Sequence, residues 1–278
     1  KFSWSPRGVL LAGLNPARFR RDGQVVDVPG EELFEWVWQV PVVVEGRRIV
    51  FEGYPNRDSM PYTDVYGIDP RDVMFRGTLR NQGWCEIMRQ VARLGWLGTE
   101  PVPGVSGPAF ADLTARLARV EPGGDLADKV ADRLDISRHG PEIAAMEWLG
   151  LFSGQPRPEG HGPVDVLTAR MLETMSYAEG ERDMLVLQHT FIAKYAGRSE
   201  RIQSTMIDFG IPGGDSSMNR TVGLPAAVGV RFILAGRIAA PGVQVPEMPE
   251  FHEPALAEPE NLGIQFTETV EELEPTKL

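Results

Sequence analysis

Amphipathic helical segments in succession, with strand-like stretches on both sides, constrain this 278-residue chain more than any other feature. From Trp84 to Leu97, the residues Ile87, Met88, Val91 and Leu94 recur at helical spacing, and Gly95 or Gly98 ends the pattern. After a Pro/Gly linker from Pro101 to Pro108, Phe110, Leu113 and Leu117 share one helical face. Leu126, Val130 and Leu134 share a second, and Ile143, Met146, Leu149 and Leu151 a third. Ser153 to Pro163 is a Gly/Pro-rich loop, and Val164, Leu167, Met171 and Met175 line the last helix. Upstream, Val42-Val43-Val44, the Glu45-Gly46 turn and Ile49-Val50-Phe51 predict a β-hairpin. Val25 to Val28 is a short strand, and Val73 to Phe75 begins another that Thr78 and Leu79 continue. Downstream, Met184 to Leu187 and Thr205 to Phe209 flank the polar turn Gly197 to Glu200, which predicts a long antiparallel hairpin. This order predicts an α+β fold. A mixed β-sheet domain is expected from residues 1–83 and 181–240, with strand 73–80 and hairpin 184–209 in one sheet. A helical subdomain is expected as an insertion over residues 84–180.

The remaining segments follow from local signals. Pro6 and Gly8 before Val9, Leu10, Leu11 and Leu14 predict a short helix, and Met60 to Tyr66 predicts another. Arg18, Arg20 and Arg21 read as a solvated basic turn. Gly210 to Ser217 leads into a helix from about Met218 to Leu234 that Pro225 should kink. From Ala240 onward Pro and acidic residues dominate, so residues 241–278 are expected to pack poorly alone. Leu262, Ile264 and Phe266 interrupt this tract as a short amphipathic piece.

Charge and composition narrow the function. A formal net charge of −11 argues against nucleic acid or an anionic membrane as partner, since both require a basic surface. No apolar run is long enough to span a bilayer. A single cysteine, Cys85, allows no disulfide within the chain and points to a reducing compartment, the cytoplasm. Lying between Trp84 and Ile87, it reads as a buried structural thiol. His139, His161, His189 and His252 are scattered without metal-ligand spacing, so no metal site is expected. There is no G-x-S-x-G elbow and no G-x-G-x-x-G dinucleotide turn. Gly210-Ile-Pro-Gly-Gly-Asp-Ser-Ser217 could cradle an anion at a helix N-terminus, but helix capping by Ser216 or Ser217 is the favoured reading.

What chemistry the chain offers lies in Tyr54-Pro-Asn-Arg-Asp-Ser59 and Phe75-Arg-Gly-Thr-Leu-Arg80, which set Arg57, Arg76 and Arg80 among small polar residues. The rigid guanidinium fork matches both oxygens of a carboxylate, so several arginines together suggest a substrate with more than one carboxylate. The competing reading is surface or interdomain salt bridges. Asp58, beside Arg57, is expected to be a charge partner that orients it.

YPNRDS, RGTLR, Gly83-to-Met88 (GWCEIM), Glu147-to-Ser153 (EWLGLFS), Glu181-to-His189 (ERDMLVLQH) and Gly213-to-Pro225 (GGDSSMNRTVGLP) resemble, in the same order, motifs of the saccharopine dehydrogenase family. The resemblance runs from Lys1 to about Gln265 and corresponds to the C-terminal, substrate-binding portion of those enzymes. It implies an oxidoreductase that interconverts saccharopine with glutamate and aminoadipate semialdehyde, using NAD or NADP. Hydride would leave the carbon bonded to the secondary amine, and water would cleave the resulting imine. The resemblance places Arg57, Thr78, Leu79 and Arg80 in the substrate site, with Asn56 and Asp58 in support. It also implies that a nucleotide-binding domain precedes this segment and holds the cofactor, that residues 241–278 pack on that domain, and that the protein is a homodimer. The start, KFSWSP, resembles the animal bifunctional enzymes, while ERDMLVLQH and GWCEIM are closer to the fungal reductases. Two alternatives stand beside this reading: a related oxidoreductase acting on a carboxyalkylated polyamine precursor, and a catalytically silent binding and oligomerisation module.

Overall fold

The computed structural model describes residues 1–69, 72–245 and 247–274. The chain divides into two compact units, Lys1–Ser176 and Tyr177–Leu278.

The first unit opens with α1 (Pro6–Ala12), where Ser5 caps the Gly8 N–H and Pro6 starts the first turn. A hairpin follows, β1 (Ala17–Arg21) and β2 (Gln24–Val28), turning at Asp22-Gly23 with both φ positive. The basic cluster is therefore a strand and not a solvated turn. Ala17 and Phe19 point inward while Arg18 between them is exposed, an alternation that the density of arginines masks. Next come β3 (Trp38–Val44) and β4 (Arg47–Pro55), joined as expected at Glu45-Gly46, again with both φ positive. After α2 (Pro61–Val65), β5 (Gly77–Asn81) pairs with β4, giving an antiparallel sheet in the order β3-β4-β5.

The helices α3 (Trp84–Arg93), α4 (Phe110–Ala118), α5 (Leu126–Leu134), α6 (Pro141–Trp148) and α7 (Pro163–Thr174) fall where the apolar spacing predicts. Gly95, at φ +93°, reverses the chain just after α3. Acidic side chains hold the N-termini: Asp112 accepts from Ala109 N at 2.8 Å, Asp125 from Ala127 N at 3.1 Å and Asp165 from Gly162 N at 3.0 Å. The inward faces share one core with the N-terminal elements. Leu10, Phe19 and Val28 belong to the same cluster as Trp96, Met146 and Leu167. Each such side chain contributes about 1.5–3 kcal/mol of burial.

The second unit carries β6 (Met184–Tyr195) and β7 (Arg198–Phe209), a hairpin tighter and longer than its apolar ends suggest. Then come α8 (Ser217–Leu234), with Pro225 inside it, α9 (Pro249–Asn261) and β8 (Phe266–Leu273). The sheet order is β6-β7-β8, all antiparallel.

Two expectations need correction. The α+β character holds, but the named strands form small antiparallel sheets and not a mixed one. Strand β5 and the β6–β7 hairpin lie in different sheets, so the regions on either side of the helices are not one sheet domain. The chain divides after Ser176 instead of at 83 and 180. The acidic segment also forms regular structure, over Pro249–Asn261 and Phe266–Leu273. Phe251 and Ala255 of α9 pack with Val228 and Phe232 of α8, and β8 pairs with β7 from Ser199↔Leu273 to Met206↔Phe266. Of the three apolar residues singled out there, Ile264 is buried while Leu262 and Phe266 are exposed.

Candidate functional site

Strands β4 and β5 carry the predicted site. Their register sets Glu52 opposite Arg80, Gly53 opposite Leu79, Tyr54 opposite Thr78 and Pro55 opposite Gly77. One step on, Asn56 N donates to the Arg76 carbonyl at 3.0 Å. Strand side chains alternate, so Glu52, Tyr54, Thr78 and Arg80 share one face, and Leu79 points to the other. Only the backbone of Leu79 meets the row, where its carbonyl accepts from Arg80 Nη1 at 3.0 Å. The Arg80 guanidinium lies 5.8 Å from the Trp84 ring centroid. Tyr54 is buried at the centre of the row. Burial pushes its phenol up, against the pull of the Arg80 charge and hydrogen bonds from Thr78 and Arg80.

The opposite face is sealed by aromatic rings. Trp38 and Phe75 meet edge-on with centroids 4.6 Å apart. A Cβ on Gly53 would come within 2.7 Å of the Trp38 indole, and one on Gly77 within 3.1 Å of that ring and 2.9 Å of Phe75. Glycine at both positions is what lets Trp38 lie flat against the strands.

The Asn56–Ser59 turn is tied to β1. Arg18 N donates to the Arg57 carbonyl at 3.0 Å, and Ser59 N donates to the Arg18 carbonyl at 2.7 Å. Arg57 sits in the left-handed region at φ +58°, with its side chain exposed. Ser59 is fully buried, and its Oγ accepts from Arg76 N at 3.0 Å. Asp58 does not orient Arg57. Its Oδ1 accepts from Met60 N at 2.8 Å and fixes the turn into α2.

A residue that sequence reading passed over has a parallel role. Glu52 faces Arg80 in register, yet its two oxygens accept from Gly83 N at 2.8 Å and Cys85 N at 2.9 Å. The carboxylate thus caps the N-terminus of α3 from 31 and 33 residues away. Cys85 is buried, and burial with the neighbouring Glu52 charge pushes its thiol far up, which suits a structural role. Glu52, opposite Arg80 in register, and Asp58, beside Arg57 in sequence, are therefore both spent on backbone N–H groups. Among the described residues Arg57, Arg76 and Arg80 form no ion pair with a carboxylate.

The Gly210–Ser217 loop behaves differently. Ser216 Oγ accepts from Asn219 N at 3.1 Å, the expected cap. The anion at the start of α8 is the chain's own Asp183, which accepts from Ser217 N at 2.7 Å and Met218 N at 3.1 Å. Arg220, one turn later, pairs with both oxygens of Asp208 at 3.0 and 3.3 Å and donates to the carbonyls of Phe209 and Leu262. The first N–H groups of α8, at Ser217 and Met218, are therefore already taken by a carboxylate of the chain itself. Among the described residues no cluster of three or more His, Cys, Asp or Glu side chains could hold a metal ion, and no helix is long and apolar enough to cross a membrane.

Comparison with known proteins gives one consistent result. The family model for the saccharopine dehydrogenase C-terminal domain matches residues 1–264. The chain is 35% identical over 281 residues to saccharopine dehydrogenase (NADP(+), L-glutamate-forming) of Schizosaccharomyces pombe, covering 97% of this chain and 62% of that protein. It is 37% identical to the Saccharomyces cerevisiae protein of the same name, covering 93% and 59%. Mouse mitochondrial alpha-aminoadipic semialdehyde synthase matches at 32% identity over 96% of this chain and 29% of its own length. Among solved structures, apo saccharopine dehydrogenase (L-Glu forming) from Saccharomyces cerevisiae superposes with a TM-score of 0.84 at 34% identity, covering 98% of this chain and 62% of that one. The chain thus spans about three fifths of the length of these fungal relatives.

Proposed function

The chain belongs to the saccharopine dehydrogenase C-terminal domain family, and from that premise we propose that it supplies the substrate-holding part of an enzyme that interconverts saccharopine with glutamate and aminoadipate semialdehyde. Arg57 and Arg80 bind substrate carboxylates, with Thr78, the Leu79 backbone and Asn56 completing the cradle and Asp58 shaping its turn. A nicotinamide cofactor, NAD or NADP, accepts or returns the hydride, and it is bound mainly outside this chain.

The observation that carries this reading is the state of the arginines. The chain has 39 acidic residues against 28 basic ones, yet among the described residues Arg57, Arg76 and Arg80 have no carboxylate partner. Glu52, opposite Arg80, and Asp58, next to Arg57, are held by backbone N–H groups. Positive charge left unneutralised beside a half-buried Thr78 and Tyr54 suits a polycarboxylate ligand, and suits a polyamine poorly.

The test is Arg57→Ala, Arg57→Lys and Arg80→Ala in the full-length enzyme, with kcat/KM and melting temperature measured together. Loss of one charge-assisted bond costs on the order of 2–4 kcal/mol, roughly a 30- to 1000-fold drop in kcat/KM. Arg57→Lys should also lose activity, because an ammonium cannot reproduce the fork. Near-normal turnover in folded variants would sink the assignment.

A further inference from the structure

A third arginine stands beside the cradle just described. Arg76 directly precedes β5, and its backbone is fixed on both sides: Arg76 N donates to Ser59 Oγ and Asn56 N donates to the Arg76 carbonyl, each at 3.0 Å. Two and four residues ahead of Thr78 and Arg80, it extends the same row of the strand. Its side chain is propped from below. The guanidinium lies 4.7 Å from the Tyr62 ring centroid, and Nη1 donates to Tyr62 Oη at 2.9 Å. Tyr62 in turn stacks on Tyr66, with centroids 5.7 Å apart and planes 18° from parallel. This arrangement uses one of the five guanidinium N–H donors. The remaining donors meet no acceptor among the described residues, and the side chain is exposed.

The spacing has a chemical meaning. Four residues along a strand separate Arg76 and Arg80 by about 13 Å. In extended saccharopine, the lysine-derived α-carboxylate and the glutamate-derived γ-carboxylate end the chain, about ten bonds and roughly 12–13 Å apart. Two guanidinium groups reaching over the same face at that spacing can each meet one end of such a ligand with a charge-assisted hydrogen bond. We propose that Arg76, propped on Tyr62, binds the substrate carboxylate farthest from the one Arg80 holds. It thereby selects a substrate with a carboxylate at both ends over one that ends in a bare amine. This rests on the reading of the site as a saccharopine cradle.

The experiment uses the full-length enzyme with Arg76→Ala, Arg76→Lys and Arg80→Ala. Each is assayed with saccharopine and with two analogues, one lacking the lysine-derived α-carboxylate and one lacking the glutamate-derived γ-carboxylate. Arg76→Ala should lower kcat/KM for saccharopine about 30-fold, mostly through KM, with Arg76→Lys in between. On one of the two analogues the Arg76→Ala penalty should shrink to less than about 3-fold, because the group it binds is already gone. An equal penalty on all three substrates, or none on saccharopine while Arg80→Ala is impaired, overturns the role of Arg76 alone. Unchanged turnover in Arg80→Ala overturns the cradle itself.

Discussion

Arg80 and Arg220 are the same side chain in opposite situations. Arg220 is enclosed: Asp208, 5% exposed, takes it through both oxygens, and the carbonyls of Phe209 and Leu262 take the rest. Arg80 faces Glu52 in register, but that carboxylate is engaged by Gly83 and Cys85, and the guanidinium meets its neighbour's carbonyl, the Tyr54 hydroxyl and the Trp84 ring. Each region has a carboxylate at a helix start, Glu52 for α3 and Asp183 for α8. What differs is a second acid. The Arg220 region has Asp208 to spare, and among the described residues no second acid pairs with the arginine of the β4–β5 row. Whether an arginine becomes structure or stays open to a ligand is decided here by one additional carboxylate.

That contrast can be broken by mutation. Arg220→Ala should have the largest effect on stability, because it strands the buried Asp208 and cuts the bond to the Leu262 carbonyl. A loss of about 3–5 kcal/mol is expected in urea unfolding of the chain. A loss below about 1 kcal/mol would show that Arg220 is no more structural than Arg80. Arg80→Ala should do the reverse, with the drop in kcat/KM given above and little change in melting temperature.

Glu52→Gln probes the acid that Arg80 does not receive. An amide can accept through only one oxygen and carries no charge toward the α3 N-terminus, so about 1 kcal/mol of stability should be lost. The same change removes the negative charge beside Cys85, which should bring the thiol pKa down while burial keeps it above the usual range. Alkylation of Cys85 followed against pH would show it, and an unmoved profile would contradict the contact.

The smallest effect concerns His189, which stacks on Phe266 with centroids 6.3 Å apart. Burial holds its pKa below the ordinary 6.5, so the folded state keeps it neutral and the unfolded state takes up the proton first. Its contribution is complete above that value and is lost as pH falls through it toward the folded pKa. His189→Gln should therefore flatten the melting temperature between about pH 5 and 7. An unchanged slope would argue that the imidazole is not desolvated by the β6–β8 sheet.

The elements legible in the sequence are those whose signal is local. Helices α3 to α7 announced themselves through Val91, Leu113, Val130, Met146 and Leu167, each buried on one face. The Glu45-Gly46 turn did the same for β3 and β4. β8 was hidden because its alternating residues are Thr and Glu. Such a sequence reads as solvated until Arg201 supplies a partner for Glu271 at 2.8 Å and β7 supplies the ladder. Sheet membership was illegible for the same reason, since pairing depends on partners far away in the chain. In the site, the arginines were visible as a motif and the acids were misread. Asp58 looked like a partner for its neighbour, and Glu52 gave no signal, because the N–H groups that claim it lie more than thirty residues on.

Trp38 pressed flat on Gly53 and Gly77 carries a consequence for how this sequence can vary. A methyl group at either glycine collides with the indole, and displacing the indole would unseat the strands that carry Thr78 and Arg80. Positions 38, 53 and 77 should therefore drift together or not at all. A library randomised at 53 alone should return glycine, and alanine there should become tolerable only when position 38 is randomised with it and loses its tryptophan.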